Sequence, residues 1–266
     1  EDIRSRYQFW FFQYDSDRPI ALSALHLREA LEGAVARLDP DGKDPALRQM
    51  VLIGHSQGGL LVKMQSISSG DRIWNAVSRK PLDQLKLSDS TRELLRRGLF
   101  VEPLPEVARV VFISTPQRGS FVAGWRMVAD LARRLTTLPF QLNQVSLDLA
   151  RNLDAAKSPF VPTATDNMSP RSPFIQGLQE VPVAPSIKAH SIISVEAKYW
   201  SDGSFNAEQG NDGVVAYSSA HIEPVESEMV VRSPHSCQGN PYTIEEVRRI
   251  LRLLVGLGTS TDRATP

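Results

Sequence analysis

The pentapeptide Gly54-His55-Ser56-Gln57-Gly58 constrains this chain more than any other stretch. It fits G-x-S-x-G, a pattern that carries weight only where an apolar strand runs directly into a helix. Residues 49 to 55 (QMVLIGH) have the length and residue types of a buried strand, and residues 58 to 65 read as the helix that follows. So tight a turn holds its central serine in a strained conformation. Side chains at the flanking glycine positions would collide where strand and helix approach. The strain exposes the Ser56 oxygen, the helix beyond adds a partial positive charge, and the Gln57 backbone N–H faces a developing oxyanion. The bland alternative is a glycine-rich strand-to-helix turn with an incidental serine; it leaves the surrounding strand and helix pattern to coincidence.

The rest of the chain supplies a sheet for that turn. Residues 7 to 14 (YQFWFFQY) read as a strand buried on both faces. Asp17 as a cap and Pro19 in the first turn open a helix whose Ala24, Leu27, Leu31, Val35 and Leu38 recur at three-to-four spacing, and Asp39-Pro40-Asp41-Gly42 ends it. Further strands are expected at residues 109 to 114, 189 to 195 and 228 to 231. A last helix is expected to open with Thr243 and Glu246 in capping-box spacing, with Val247, Ile250, Leu251 and Leu254 on its apolar face. Strands alternating with helices predict an α/β fold with a mostly parallel, helix-covered sheet. Two insertions interrupt the alternation. Residues 66 to 105 carry short helical patterns around Trp74, Leu82, Leu94 and Leu95; residues 117 to 188 hold two helices and a proline-rich stretch from 158 to 185. Insertions of this size over a sheet edge usually cover something, and a helical cap or lid is expected there.

Composition removes several function classes. At 266 residues the chain fits one large α/β domain, here taken as residues 1–266. Lys plus Arg number 30, as do Asp plus Glu, and no basic stripe with interleaved aromatics occurs, so nucleic acid is discarded as a partner. Cys237 is the only cysteine, which excludes an intrachain disulfide and multi-cysteine zinc patterns. No apolar run reaches the length of a membrane-spanning helix.

A serine hydroxyl needs a base, and the chain has five histidines. His55 adjoins Ser56 on a turn that sends neighbouring side chains apart, and His26 lies in the helix before the elbow. His190 begins a strand and reads as a core histidine, while His221 reads as a surface-loop residue. His235 follows the last strand in Ser233-Pro234-His235-Ser236, at the carboxyl side of the sheet where ligand-binding residues gather. It is the expected base, because the order Ser, acid, His suits a strand-turn-helix nucleophile. The acid then lies between them, on a loop after a late strand. Asp202 in Ser201-Asp202-Gly203-Ser204 and Asp212 in Asn211-Asp212-Gly213-Val214-Val215 compete, and each also reads as a plain turn.

Taken together, the elbow with Gly59, Ser114-Thr115-Pro116-Gln117-Arg118-Gly119-Ser120, Ser172-Pro173-Phe174, the NDGVV at 211 to 215 and the final histidine loop resemble bacterial lipase-like serine esterases. These are α/β-hydrolases related to the GPI inositol-deacylase-like and true bacterial lipase groups, and the resemblance spans roughly residues 7 to 255. It implies an α/β-hydrolase fold, and it implies a carboxylic-ester hydrolase working through a Ser-His-Asp triad and an acyl-enzyme. The family carries its triad acid in an N-D-G-[LV]-V segment, which falls on Asp212 and selects it over Asp202. The site residues so implied are Ser56, His235 and Asp212, with the Gln57 backbone N–H as oxyanion donor.

No cofactor is expected. The family's calcium-binding branch supplies carboxylates just after the histidine, where Ser236-Cys237-Gln238-Gly239-Asn240 has none, so no such metal site is expected. Phe121, Trp125, Phe140, Phe160 and Phe174 are candidate acyl-pocket or cap residues, ordinary packing being the plainer reading of each. The expected partner is a small-molecule ester or a lipid, with transient lipid-surface contact through the cap. Rival readings are acyl transfer to an alcohol or lipid, thioester or peptide cleavage with the same triad, and a catalytically silent interaction module. The family takes its second oxyanion donor from a loop after an earlier strand, often a His-Gly pair, and none precedes the elbow here. A strand and a glycine-containing loop upstream of Glu1 are therefore expected in the complete catalytic domain.

Overall fold

The computed structural model describes residues 2–16, 18–120 and 168–256. In chain order the strands are β1 (Met50–His55), β2 (Val107–Ile113), β3 (Lys188–Val195), the short hairpin β4 (Trp200–Ser201) and β5 (Ser204–Phe205), and β6 (Ser227–Arg232). Their helical partners are α1 (Ile20–Leu38), α2 (Gln57–Lys63), α3 (Arg72–Val77), α4 (Asp89–Leu99), α5 (Pro173–Gln179), α6 (Tyr217–Ala220) and α7 (Pro241–Leu254). Four strands make one parallel sheet in the order β1-β2-β3-β6, with the β4–β5 hairpin separate. The α/β class expected of an α/β-hydrolase, a mostly parallel sheet flanked by helices, is therefore present.

Strand geometry explains how both faces are filled. Successive side chains on β2 point to opposite faces. Val110 and Phe112 join a core with Leu27 of α1, Leu60 of α2, Trp74 of α3 and Ile175 of α5; Val111 and Ile113 join another with Ile192, Val231 and Ile250 of α7. Both sets are buried, so β2 reads as a continuous apolar run instead of an alternating one. Each such side chain contributes about 1.5–3 kcal/mol. The short helices of residues 66 to 105 belong to the first of these cores, through Ile73, Trp74, Leu82 and Leu99.

Three expectations of local structure change. Residues 7 to 14 form no strand; Phe11 is 93% and Trp10 42% exposed. The segment instead runs from α7, where the Tyr7 hydroxyl donates to the Leu251 carbonyl (2.7 Å), to the elbow, where Gln57 Nε2 donates to the Ser16 carbonyl (3.4 Å). An apolar, aromatic run fits a strand in composition, but only a neighbouring ladder makes it one. β1 in turn has β2 as its one sheet neighbour among the described residues and is partly exposed at Ile53. At the last helix, Asn240 caps through Tyr242 N and Pro241 holds the first position, so the helix begins before Thr243 and no Thr243–Glu246 box forms. Glu246 pairs with Arg249. Likewise Pro19 is the N-cap of α1 and not part of its first turn, while Asp17 lies outside the described residues.

Candidate active site

Ser56 follows β1, His235 follows β6 and Asp212 lies between β5 and α6, and the ladder continues one residue past β1, β2 and β6. Ser56 N donates to the Ile113 carbonyl (2.8 Å), Ser114 N to the Ile192 carbonyl (2.8 Å) and Ser233 N to the Val195 carbonyl (3.0 Å). Ser56 is the N-cap of α2 with φ 52° and ψ −126°. A non-glycine residue held there costs on the order of 1–3 kcal/mol.

Packing shows which glycines permit the turn. A Cβ on Gly54 would lie 2.5 Å from the Gly58 carbonyl oxygen, and one on Gly59 would lie 1.8 Å from Thr115 Oγ1. A Cβ on Gly58 would meet nothing nearer than the Tyr14 hydroxyl at 3.8 Å. The close approach thus falls on Gly54 and Gly59, and the second motif glycine is sterically free, contrary to the expectation for both flanking positions. Gln57 opens α2, so its N–H is one that the helix leaves without an intrahelical acceptor.

Ser56, His235 and Asp212 stand in one hydrogen-bonded line. His235 Nε2 lies 2.9 Å from Ser56 Oγ, and His235 Nδ1 lies 2.8 Å from Asp212 Oδ2. Asp212 is buried at 2% exposure, and its carboxylate has four partners: Oδ1 accepts from Val214 N (2.9 Å) and Val215 N (2.7 Å), Oδ2 from His235 and from Ser194 Oγ (2.7 Å). Burial by itself pushes this carboxyl up. The hydrogen bond from His235, then the Val215 N–H, the charge on His235 and the Ser194 hydroxyl outweigh it, and the net shift is downward. An ionised Asp212 only accepts, so the proton sits on His235 Nδ1 and Nε2 is left to accept from the Ser56 hydroxyl.

The local sequence accounts for how Asp212 is held. Asn211 Oδ1 accepts from Gly213 N, Asp212 Oδ1 accepts from the next two N–H groups, and Gly213 turns the chain at φ 89°. That value lies in the region glycine adopts without Cβ strain. His235 N also donates to the Asp212 carbonyl (3.0 Å), which ties the two loops together.

Asp202, the competing acid, sits with Gly203 in the two-residue β4–β5 turn, both at positive φ, as primed hairpin turns require. His26, on α1, meets Arg18 in the segment before the helix. His190 is fully buried; Arg109 can only donate to its Nε2 (2.8 Å), so its Nδ1–H donates to Ser227 Oγ (2.8 Å). Burial first, then Arg109, lowers its pKa to about 4. His221 pairs with Glu228 (2.7 Å), so it is better held than a surface-loop histidine. Of the aromatic pocket candidates, Phe174 packs in the first core, and Phe121, Trp125, Phe140 and Phe160 lie outside the described residues.

Two further supports hold these residues, and neither is signalled by the local sequence. His55, set aside for its position, donates from Nε2 to the His235 carbonyl (2.9 Å), and the two rings lie 4.9 Å apart. Burial lowers its pKa, which suits a neutral ring in that role. The loop from Ser114 to Ser120 braces the acid loop: Arg118 Nη1 donates to the Ser218 carbonyl (2.9 Å), Ser219 Oγ to the Gly119 carbonyl (2.6 Å) and Ser120 Oγ to the Val214 carbonyl.

No protein-family model matches the chain, and no curated protein matches it in sequence. Among solved structures, it is similar to the mature form of the lipase BlEst2 from Bacillus licheniformis, at 16% identity and a TM-score of 0.47, over 91% of this chain and 78% of that one. It is also similar to the metagenomic carboxyl esterase MGS0156, at 16% identity and a TM-score of 0.46, over 96% of this chain and 67% of that one. Phospholipase PlaB from Legionella pneumophila matches at 14% identity and a TM-score of 0.46, over 92% of this chain and half the length of PlaB. Among the described residues, no helix is long and apolar enough to cross a membrane.

Proposed function

We propose that this protein is a serine hydrolase of carboxylic esters, with Ser56 as nucleophile, His235 as general base and acid, and Asp212 as the group that orients and stabilises the imidazole. The observation that carries the reading is the unbroken line Ser56 Oγ, His235, Asp212, at 2.9 and 2.8 Å, rising from a strained strand-to-helix turn. Hydrogen-bonded contact between nucleophile and base, and between base and orienting acid, is the geometry that such catalysis requires.

His235 Nε2 takes the Ser56 proton as Oγ attacks the ester carbonyl carbon. The negative charge that develops on the carbonyl oxygen meets the Gln57 N–H and the positive end of α2. His235 then returns the proton to the departing alcohol oxygen, leaving an acyl group on Ser56. Water, deprotonated by the same nitrogen, attacks that acyl group and restores the serine. A lipid or small-molecule ester is the proposed substrate.

The test is hydrolysis of nitrophenyl esters of increasing chain length by the wild type and by Ser56→Ala. A correctly folded Ser56→Ala protein should lose on the order of 10⁶-fold in kcat. Hydrolysis undiminished in that variant would remove the proposal.

A further inference from the structure

Behind Asp212, on the side away from Ser56, lies a run of buried polar side chains that the proposed mechanism does not use. Ser194 Oγ is 2.7 Å from Asp212 Oδ2, Ser114 Oγ is 2.6 Å from Ser194 Oγ, and Cys237 Sγ is 3.3 Å from Ser114 Oγ. None of these four residues is more than 2% exposed. They come from β3, the loop after β2, the loop after β6 and the NDGVV turn, so the arrangement depends on the register of the sheet.

Proton counting gives the run a direction. A hydroxyl has one proton to donate and two lone pairs. The Asp212 carboxylate only accepts, so the Ser194 proton is committed to it. Ser194 can then only accept from Ser114, which commits the Ser114 proton. Ser114 Oγ in turn accepts from the Ser194 backbone N–H (3.3 Å) and from the Cys237 thiol. Ser114 also holds φ 47°. Left-handed backbone at a non-glycine residue persists only where the surroundings fix it, and it clusters at functional sites.

We propose that Ser194 and Ser114 are positioning residues: a one-way donor relay that ends on Asp212 Oδ2, the oxygen facing His235, and so sets how strongly that oxygen holds the imidazole. The proposal rests on the assignment of Ser56, His235 and Asp212 above. The relay fixes the rotation of the carboxylate, because Oδ1 is taken by two N–H groups and Oδ2 by one hydroxyl and the ring. It also spreads the carboxylate charge over a further donor. Without the Ser194 hydroxyl that charge is concentrated on the bond to His235, which holds the imidazolium formed during the reaction more tightly.

The experiment measures kcat, KM and the pH profile of ester hydrolysis for the full chain carrying Ser194→Ala, Ser114→Ala, Ser194→Cys or Asp212→Asn. Ser194→Ala should lower kcat by about tenfold to a hundredfold, the scale of one hydrogen bond to a charged group, with KM held within about twofold. The acid limb of its kcat/KM profile should move up by about half a unit to one unit. Ser114→Ala, one bond further away, should move both quantities less, and Ser194→Cys, whose thiol is a weak donor, should fall between Ser194→Ala and the wild type. Should Ser194→Ala alone fail to fold, the double change Ser114→Ala with Ser194→Ala leaves neither hydroxyl unpaired and should show the full limb shift. Wild-type kcat with an unmoved limb in Ser194→Ala, or a loss of rate with no limb shift, beside a crippled Asp212→Asn, would overturn the relay alone. An active Asp212→Asn would overturn the triad assignment and the relay with it.

Discussion

Replacing Asp212 by asparagine separates catalysis from stability, because the amide can settle in its pocket only one way. With its oxygen at the Oδ1 position it keeps the bonds from Val214 N and Val215 N, and its NH₂ then faces Ser194 Oγ and His235 Nδ1. The reverse orientation sets an NH₂ against two backbone donors at 2.9 and 2.7 Å. Each donor left unpaired costs about 1–3 kcal/mol, so this orientation is disfavoured by about 2–6 kcal/mol. In the orientation that wins, His235 Nδ1 becomes an acceptor and its proton moves to Nε2, the atom 2.9 Å from Ser56 Oγ. The base then has no lone pair for the serine proton. A wrong tautomer of this kind costs about 10⁴-fold in kcat. The fold should lose little, with Tm falling by no more than about 5 °C. Asp202→Asn is the matched control: its turn has φ 50°, which asparagine tolerates, and activity should stay within about twofold. The assay is steady-state nitrophenyl ester hydrolysis beside a thermal melt on the same preparations. A folded Asp212→Asn with more than about a tenth of wild-type kcat would show that Asp212 does not set the His235 tautomer, and collapse of activity in Asp202→Asn would point to Asp202 as the acid.

His190 makes stability fall on acidification. Its folded pKa, about 4, lies below the ordinary 6.5, so the unfolded chain binds the extra proton between these values. The stability that the neutral ring contributes is full above 6.5 and is lost as pH falls toward 4, by about 3 kcal/mol at most. Arg109, Glu226, Glu246 and Arg249 surround the ring, and urea unfolding at pH 7 and pH 4.5 should show a smaller loss in His190→Gln than in the wild type; equal losses would exclude His190 as the cause. Gly59→Ala should destabilise the fold by about 1–3 kcal/mol or more through overpacking against Thr115, while Gly58→Ala is tolerated, as comparative melts would show. Chelator treatment should leave ester hydrolysis unchanged, and a chelator-sensitive rate would reveal a metal that this account lacks.

What could be read in advance was local. The elbow announces itself because strand, serine, glycine and helix are contiguous, and the two-residue turn at Asp202-Gly203 and the Asx geometry of Asn211-Asp212-Gly213 are encoded within a few residues. β2 was legible from the unbroken apolar run at residues 110 to 113, and β3 from Ile192, Ile193 and Val195, although the buried polar His190, Ser191 and Ser194 interrupt it. Residues 7 to 14 misled for the same reason: aromatic side chains that lie exposed beside the sheet have the composition of a buried strand. Asn240-Pro241 outcompeted Thr243 as a helix start because a capping side chain followed by proline suits the first turn better. The partnership of Ser114 with Ser194, 80 residues apart, and of His55 with His235, 180 apart, is set by strand register and leaves no mark on either segment.

The assignment of Ser56 as nucleophile is tested most directly by covalent capture. Incubating the protein with a fluorophosphonate, digesting it and locating the adduct by mass spectrometry should place one phosphonyl group on the Ser56 hydroxyl, with labelling lost in Ser56→Ala and strongly slowed in Asp212→Asn. An adduct on another residue, or labelling of Ser56→Ala at the wild-type rate, would contradict the account.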